Sequence, residues 1–280
     1  MKLISWNIAR RVDAWHRLLD MDADIALLQE ATEPPREVAS RIGVDAEPWQ
    51  TDGAGATRRW RAAVVRLTNR VQVDWLLPVP IDRAVPGDLP VSRRGTLAAA
   101  EVAEPDGVRF TVVSMYGLWE RSHRSTGSGW IYADASVHRL ISDISPLIGK
   151  QSGHRLLAAG DLNILYGYGE HGSAYWASRY ATVFDRMSAL GLVLVGPQAP
   201  AGRRAEPWPD ELPRISNNVP TYYTSRQTPV TATRQLDFVF ASGNIADRIR
   251  VRAINEPDQW GPSDHCRIEI EIARSPIPSP

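Results

Sequence analysis

The sequence predicts an α/β protein in which two β-sheets pack face to face and helices cover the outside. Three observations carry this expectation. Roughly ten short β-like runs recur along the 280 residues, and several are apolar on both faces, as strands in the middle of a sandwich are. Only three amphipathic helical stretches interleave with them, too few and too unevenly spaced for a (β/α)8 barrel or a strictly doubly wound sheet. With 43% hydrophobic residues the chain can bury a large core without staples, and its single cysteine, Cys266, excludes an intrachain disulfide.

Taken in order, Lys2–Asn7 reads as the first strand, followed by a short helix on the stripe Val12, Trp15, Leu18 and Leu19. Asp24–Gln29 (DIALLQ), Arg61–Leu67, Val71–Leu77, Thr96–Val102 and Val108–Met115 read as strands. Val137, Leu140, Ile141, Ile144, Leu147 and Ile148 recur at i, i+3, i+4, i+7, i+10 and i+11, which predicts an amphipathic helix. His154–Ala159 is a further strand, and a third helix is expected from about Ala174 to Leu190, stopped by Gly191. Gln235–Ala241, Arg248–Ile254 and Cys266–Ile272 complete the set; in the last, Arg267-Ile268-Glu269-Ile270-Glu271-Ile272 alternates between a buried and a wet face. Pro78–Arg94 and Gly196–Pro220, rich in Pro, Gly and Arg, read as long surface loops, and Ser275–Pro280 as a disordered tail.

Charged residues make up 23%, with 32 basic against 32 acidic, which excludes a chain dominated by disorder and an overall polycationic coat, but not a local basic groove. All the basic residues except Lys2 and Lys150 are arginine, as a codon bias or a selection for phosphate forks would each produce. The N-terminal residues carry no apolar signal-peptide core, and no apolar run approaches the roughly 18 residues of a membrane span. A soluble, cytoplasmic protein without membrane partners is the expectation.

The informative polar residues sit at strand ends. Asn7 ends the first strand, Glu30 follows Leu27-Leu28-Gln29, Asp161 and Asn163 follow His154–Ala159, Asp237 lies between Leu236 and Phe238, and Asp264 and His265 precede the last strand. Singly, Glu30 and Asn7 also read as caps or solvated turns. Asp237 is harder to dismiss, because an inward carboxylate is costly unless it has a partner, for which a histidine is suited. Together these carboxylates, amides and one histidine make an oxygen-rich set suited to Mg²⁺ or Mn²⁺. Zinc fits less well, since no cysteine joins the set. The other histidines, His16, His123, His138, His154 and His171, lack metal-type spacing and read mostly as surface or helix residues.

Ser5-Trp6-Asn7-Ile8, Leu27-Leu28-Gln29-Glu30, Gly160-Asp161-Leu162-Asn163, Leu236-Asp237-Phe238-Val239-Phe240 and Ser263-Asp264-His265 occur in this order over nearly the whole chain. In this the sequence resembles the endonuclease/exonuclease/phosphatase superfamily, which groups exonuclease III-like and deoxyribonuclease I-like nucleases with inositol-polyphosphate phosphatases and neutral sphingomyelinases. The resemblance implies a four-layered α/β sandwich forming a single catalytic domain over residues 1–274. It implies that Glu30 is the principal metal ligand, with Asn7 beside it and Asp264 near the same end. It further implies that Asp161, helped by Asn163, positions and deprotonates the attacking water, and that His265, held by Asp237, donates to the phosphoryl oxygens. Tyr116 stands where the exonuclease III-like branch often carries a tyrosine that donates to the scissile phosphate, and reads equally as a tyrosine at a sheet edge. Ala9 stands where some abasic-site nucleases carry an acid, which argues against a second metal.

The bond is thereby expected to be a phosphoester; the loops choose the substrate. Arg58-Arg59-Trp60-Arg61, the segment from Trp119 through Arg121 to Arg124, Trp208 and Thr221-Tyr222-Tyr223 combine arginine with aromatics, as a nucleic-acid channel does, or as ordinary solvated loops do. Trp119, Arg121 and Tyr222 are the substrate-binding candidates beside Asn163 and Tyr116. Neutral net charge also suits a small phosphorylated molecule or a lipid headgroup. A catalytically silent binding protein is disfavoured, because no residue of the core set is missing. Ile164-Leu165-Tyr166-Gly167-Tyr168-Gly169-Glu170, directly after the Asp161 motif, carries glycines that let the backbone bend near the site.

Overall fold

Strands that are apolar on both faces need cover on both sides, and the structure supplies it with a second sheet on one side and helices on the other. The computed structural model describes residues 1–53, 56–86, 88–104, 107–149 and 153–273. In chain order come β1 (Lys2–Asn7), α1 (Val12–Leu19), β2 (Ile25–Ala31), the one-turn α2 (Arg36–Ala39), β3 (Gly43–Val44), β4 (Thr51–Gly53), β5 (Ala56–Arg58), β6 (Arg61–Arg66) and β7 (Gln72–Leu76). Next are β8 (Pro78–Pro80), β9 (Leu89–Val91), β10 (Leu97–Ala103), β11 (Arg109–Tyr116), β12 (Glu120–Arg121), β13 (Ile131–Tyr132), α3 (Ala133–Ile144) and β14 (Leu156–Asp161). The last elements are α4 (Ala174–Ala189), β15 (Leu192–Gly196), β16 (Asp237–Ser242), β17 (Ile249–Ile254) and β18 (Arg267–Ile272).

Two six-stranded sheets form, in the orders β17-β18-β1-β2-β6-β3 and β15-β16-β14-β11-β10-β7. Both are mixed, with one parallel pair each, β1 beside β2 and β11 beside β14. Leu3, Leu27, Val64, Val112, Leu157 and Ile270 fill the space between the sheets. Trp6, Leu28 and Val65 face the opposite way, onto Trp15 and Leu18 of α1 and Val38 of α2. Leu156, Ala158, Phe238 and Phe240 face Val137, Leu140 and Ile141 of α3 and Val183 and Met187 of α4. The result is the α–β–β–α sandwich. The two parallel pairs deliver four strand ends to one edge of the sandwich, and those strands end in Asn7, Ala31, Tyr116 and Asp161.

All ten expected strands are present, β1 with the bounds expected and the others with bounds moved by at most two residues. In β18, Ile268, Ile270 and Ile272 are buried while Glu271 is exposed, the alternation read from the sequence. Two further strands join the sheets, β3 and β15; the run Leu192–Gly196, apolar and rich in β-branched valine, is a strand that the expectation from the sequence omits, and it pairs antiparallel with β16. The second helical stripe ends earlier than expected. α3 stops at Ile144, and Leu147 and Ile148 fall in and after a 3₁₀ turn over Ser145–Leu147, because Pro146 cannot donate to a continuing helix. Pro78–Arg94 is not simply a surface loop: β8 and β9 pair in parallel, and Leu89 and Val91 are buried against α3. His154 is not a surface residue either. It is buried with Nδ1 on Ser242 Oγ at 2.9 Å and Nε2 on the Leu147 carbonyl at 3.0 Å. The tail expected over Ser275–Pro280 lies outside the described residues.

Gly160 is where close packing of the scaffold meets the site. A Cβ there would lie 1.9 Å from the Met115 carbonyl oxygen in β11, an impossible contact with backbone on the neighbouring strand. Gly160→Ala is therefore expected to destabilise the fold by about 1–3 kcal/mol, read as a lower urea midpoint at unchanged m-value. It should also lower activity, since Asp161 is the next residue.

Candidate active site

Asp161 ends β14, and Asp237 begins the antiparallel strand β16 directly opposite it. Both are buried, and His265, just ahead of β18, inserts between them. His265 Nδ1 lies 2.8 Å from Asp237 Oδ2, and Nε2 lies 3.6 Å from Asp161 Oδ2. Asp161 Oδ1 accepts the Asn163 backbone N–H at 2.9 Å, while Oδ2 accepts from the side-chain amides of Asn7 at 2.9 Å and Asn163 at 3.2 Å. The imidazole is fixed from behind: Trp6 Nε1 donates to the His265 carbonyl at 2.9 Å, and Ser263 Oγ donates to the Asn7 carbonyl at 2.6 Å while accepting from His265 N at 3.1 Å. Tyr222 packs on the imidazole, with ring centroids 4.8 Å apart.

The charges follow from this burial. Desolvation pushes the Asp161 carboxyl up to about 7, and the Asp237 charge adds to it, against the opposing pull of His265 and the Asn7 amide. Burial alone pulls the His265 imidazole down, but the two carboxylates override it and hold the group up at about 10. Near neutral pH the centre is an imidazolium between a fixed carboxylate and one poised to ionise.

Glu30 reaches the site through a break in its strand. The pairing of β2 with β6 shifts register between Leu28 and Ala31, and Glu30 takes φ of 47°, a left-handed conformation that a glutamate adopts at a cost. Its Oε1 accepts from the Tyr116 hydroxyl at 2.9 Å, and its Oε2 pairs with Arg10 Nε at 3.1 Å. Burial, then the charges of Glu30 and Asp161, push the Tyr116 phenol well above its ordinary range, so it stays a donor. Asn163 is likewise left-handed, at φ 52°, with its amide donating to the Gly117 carbonyl at 2.9 Å. Asp264 is half-buried at the same end, and its charge reaches both His265 and Tyr222.

The donor set fits a hard divalent cation. Among the described residues, one tight group of metal-type ligand atoms exists, those of Asp161, Asp237 and His265, all within 4.8 Å of one another. Asp237 Oδ1 is buried with no hydrogen-bond partner among the described residues. An imidazolium has no lone pair to offer, so oxygen ligands must do most of the holding, which favours Mg²⁺ or Mn²⁺ over zinc. The trio expected as ligands, Glu30, Asn7 and Asp264, is not that tight group: Glu30 is engaged by Tyr116 and Arg10, and Asn7 Oδ1 accepts the Ala9 N–H at 2.9 Å.

The other candidates separate. Trp119, 54% exposed, lines a groove of ≈360 Å³ beside Asn163, with Trp130, Trp176 and Leu236. Tyr222 is placed against His265 by its ring. Arg121 is exposed in the β12–β13 ribbon, with no hydrogen bond or ion pair among the described residues tying it to the site. The segment after Asn163 folds inward, burying Ile164, Leu165 and Tyr168, and Glu170 pairs with Arg234 at 3.0 Å on the groove wall. Ser263, within Ser263-Asp264-His265, and Thr221, within Thr221-Tyr222-Tyr223, were given no role by the sequence, nor was Arg10; Thr221 Oγ1 accepts from Leu236 N at 3.0 Å and Asp237 N at 3.2 Å.

A family model described as Endonuclease/Exonuclease/phosphatase family matches residues 4–265, which takes in every group of the cluster. The chain belongs to that family. Membership of the Endonuclease/Exonuclease/phosphatase family makes it a phosphoesterase by class. Among solved structures, the AP endonuclease LMAP from Leishmania major superposes with a TM-score of 0.62 at 14% identity, covering 98% of this chain and 88% of that one. The endonuclease domain of TRAS1, a telomere-specific non-LTR retrotransposon, gives 0.58 at 16% identity over 97% of both chains. The 3'-5' exonuclease NExo from Neisseria meningitidis gives 0.57 at 16%, covering 98% of this chain and 100% of that one. At these identities the likeness is one of fold. No curated protein matches the sequence. No helix among the described residues is long and apolar enough to cross a membrane.

A raised Asp161 carries a sign for stability. The folded state holds its proton up to about 7 while the unfolded chain releases it near the ordinary carboxyl value of 3.8, so the protein loses stability as pH rises across that interval. Asp161→Asn removes this titration. In EDTA, the melting temperature of the variant relative to the native chain is expected to rise from pH 4 to about pH 7 and to level off above it; a constant difference would show that Asp161 titrates normally.

Proposed function

We propose that the protein is a divalent-metal-dependent phosphodiesterase that hydrolyses DNA or RNA, with residues 1–274 as one catalytic domain. The observation that carries the nucleic-acid reading is the aromatic groove at Asn163. Trp119 and Trp130 remain more than half exposed beside a cluster of buried catalytic-type groups, and exposed indoles at such a place suit the stacking of bases. The nucleases among the structural neighbours are in keeping with it.

A Mg²⁺ or Mn²⁺ held by Glu30, Asn7 and Asp264 would supply Lewis-acid polarisation of the phosphoryl oxygen and charge neutralisation at the leaving oxygen. The chain's own groups supply the rest. Asp161, poised near neutrality by its burial, orients the attacking water and takes its proton. Asn163, whose side-chain amide donates to Asp161 Oδ2 and the Gly117 carbonyl, holds that carboxylate and would turn one N–H to a phosphoryl oxygen when substrate enters. His265 remains an imidazolium and donates Nε2–H where negative charge concentrates in the transition state, while Asp237 fixes the ring through Nδ1. Tyr116 donates from the Glu30 side, its phenol kept protonated by its surroundings.

Losing one such preorganised group typically costs roughly 3–4 kcal/mol of transition-state stabilisation. Asp161→Asn and His265→Gln are therefore each expected to lower kcat at least about a hundredfold, with the far-ultraviolet circular dichroism unchanged. Glu30→Gln should shift the Mg²⁺ concentration for half-maximal activity upward; the same titration curve as the native protein would remove Glu30 from the ligand set. The substrate class is tested by incubating the protein and Mg²⁺ with plasmid, single-stranded DNA, RNA, bis(4-nitrophenyl) phosphate and inositol phosphates. Turnover of small phosphates with every polynucleotide intact would defeat the nuclease reading in favour of a small phosphoester or lipid headgroup.

A further inference from the structure

The chain that leaves the catalytic edge carries an indole with it. Beyond Tyr116, the end of β11, Gly117 donates its N–H to the Asp161 carbonyl at 2.7 Å and accepts the Asn163 side-chain amide at 2.9 Å. Trp119 follows two residues later, ahead of β12, and Trp130 stands just ahead of β13 in the same ribbon. Both line the groove of ≈360 Å³, together with Asn163, with Leu236 beside Asp237, and with Trp176 and Tyr180 of α4. Trp176 and Tyr180 belong to the core: they are buried and stacked on each other, with centroids 5.9 Å apart and planes at 30°. Trp119 and Trp130 are not core, since each stays more than half exposed. Trp130 leans on Trp176 at 5.4 Å, whereas the Trp119 side chain makes no ring contact or hydrogen bond among the described residues. Two large indoles left in water at the rim of a groove mark a surface that a ligand covers.

The lining of the groove selects the group that enters. Its one arginine, Arg234, gives both terminal nitrogens to Glu170, at 3.3 and 3.0 Å, so the lining offers a phosphate no free guanidinium. A duplex is gripped mainly through its phosphates, and its bases present edges while the stack covers their faces. Indoles bind faces. A base therefore reaches Trp119 and Trp130 only when it is unpaired or turned out of its stack, and in a single strand that costs no base pair. Because Asn163 and Leu236 line the groove, a base held there sits next to the phosphate that Asp161 and His265 would address. We propose that the groove holds one unpaired base of the substrate strand against Trp119 and Trp130, and that the protein thereby prefers single-stranded nucleic acid to duplex. This deepens the nucleic-acid reading and rests on it.

The test measures binding without turnover, by fluorescence anisotropy in EDTA of labelled oligothymidylate and oligouridylate, each alone and annealed to its complement. The preferred single strand is expected to bind about tenfold or more tightly than its duplex, and which of the two is preferred separates DNA from RNA. Trp119→Ala and Trp130→Ala should each weaken that single strand by about tenfold and leave the duplex nearly unchanged, while Trp119→Phe keeps most of the affinity. The loss should be the same at low and high salt, because stacking releases no counterions; a loss that fades as salt rises would mark a backbone contact and overturn the base site. Duplex bound as tightly as single strand, or native affinity in both Ala variants, would overturn the inference and leave a duplex nuclease standing. A nucleoside monophosphate displacing the strand as effectively as a second oligonucleotide would assign the groove to a small molecule and overturn it. So would a dimer on gel filtration that the Ala variants dissolve at native strand affinity. Should Trp130→Ala disturb Trp176 and fail to fold, Trp119→Ala against Trp119→Phe decides alone. Trp119-dependent binding of a single strand by a protein that cleaves no phosphodiester with Mg²⁺ would leave the groove standing and remove the activity.

Discussion

A buried imidazolium between two carboxylates is the constraint around which this protein is organised. Asp161 and Asp237 face each other across β14 and β16 of one sheet, and His265 enters from the strand end of the other. Two carboxylates alone at that depth would force one to keep its proton; the cation between them lets both approach ionisation. Every contact behind the histidine, from the Trp6 indole to the Ser263 hydroxyl, serves to keep the ring in that slot. The Asn7 amide then ties the first sheet to Asp161 in the second, so the charge cluster is also a clasp between the layers.

The sandwich makes this convergence possible by topology. Each sheet carries one parallel pair, and a parallel pair delivers two strand ends to the same edge. With the pairs stacked, four such ends and the starts of their antiparallel neighbours meet at one place. Gln29 Nε2 on Ser114 Oγ at 2.9 Å and Ser114 Oγ on the Leu28 carbonyl at 2.7 Å bridge the sheets just inside that edge. The space deeper between the sheets is mostly hydrocarbon, whereas the edge gathers the polar groups. The site is thus held by the most buried part of the molecule, and the loops contribute the aromatic and arginine walls.

Local discomfort is concentrated at the same edge. Glu30 and Asn163 are left-handed without being glycine, Asp237 keeps an unpartnered oxygen, and Asp161 is desolvated. Each feature costs stability in the protein. Elsewhere the same residue types pair closely, Arg61 with Asp45 at 2.6 Å and Arg179 with Asp134 at 2.5 Å, although Arg61 Nε and Asp134 Oδ1 are without partners among the described residues. The contrast separates side chains that build the scaffold from those that wait for a ligand.

Much of this was legible in one dimension. Apolar runs bounded by turns announced the strands, since a strand buried on both faces keeps charge out of its middle, and the polar residues at their ends stood out against that background. Asn7, Glu30, Asp161, Asn163, Asp237 and His265 were visible for this reason, and their order along the chain carried the family. What the chain alone could not decide is how those ends are aimed. The bulge that turns Glu30 into the cleft arises from pairing between β2 and β6, where the register shifts between Leu28 and Ala31. Residue types and their periodicity set the layers, because burial is a property each residue carries with it. Charge state and ligand role came from tertiary contacts, because electrostatic energy belongs to pairs of groups and to the solvent excluded between them.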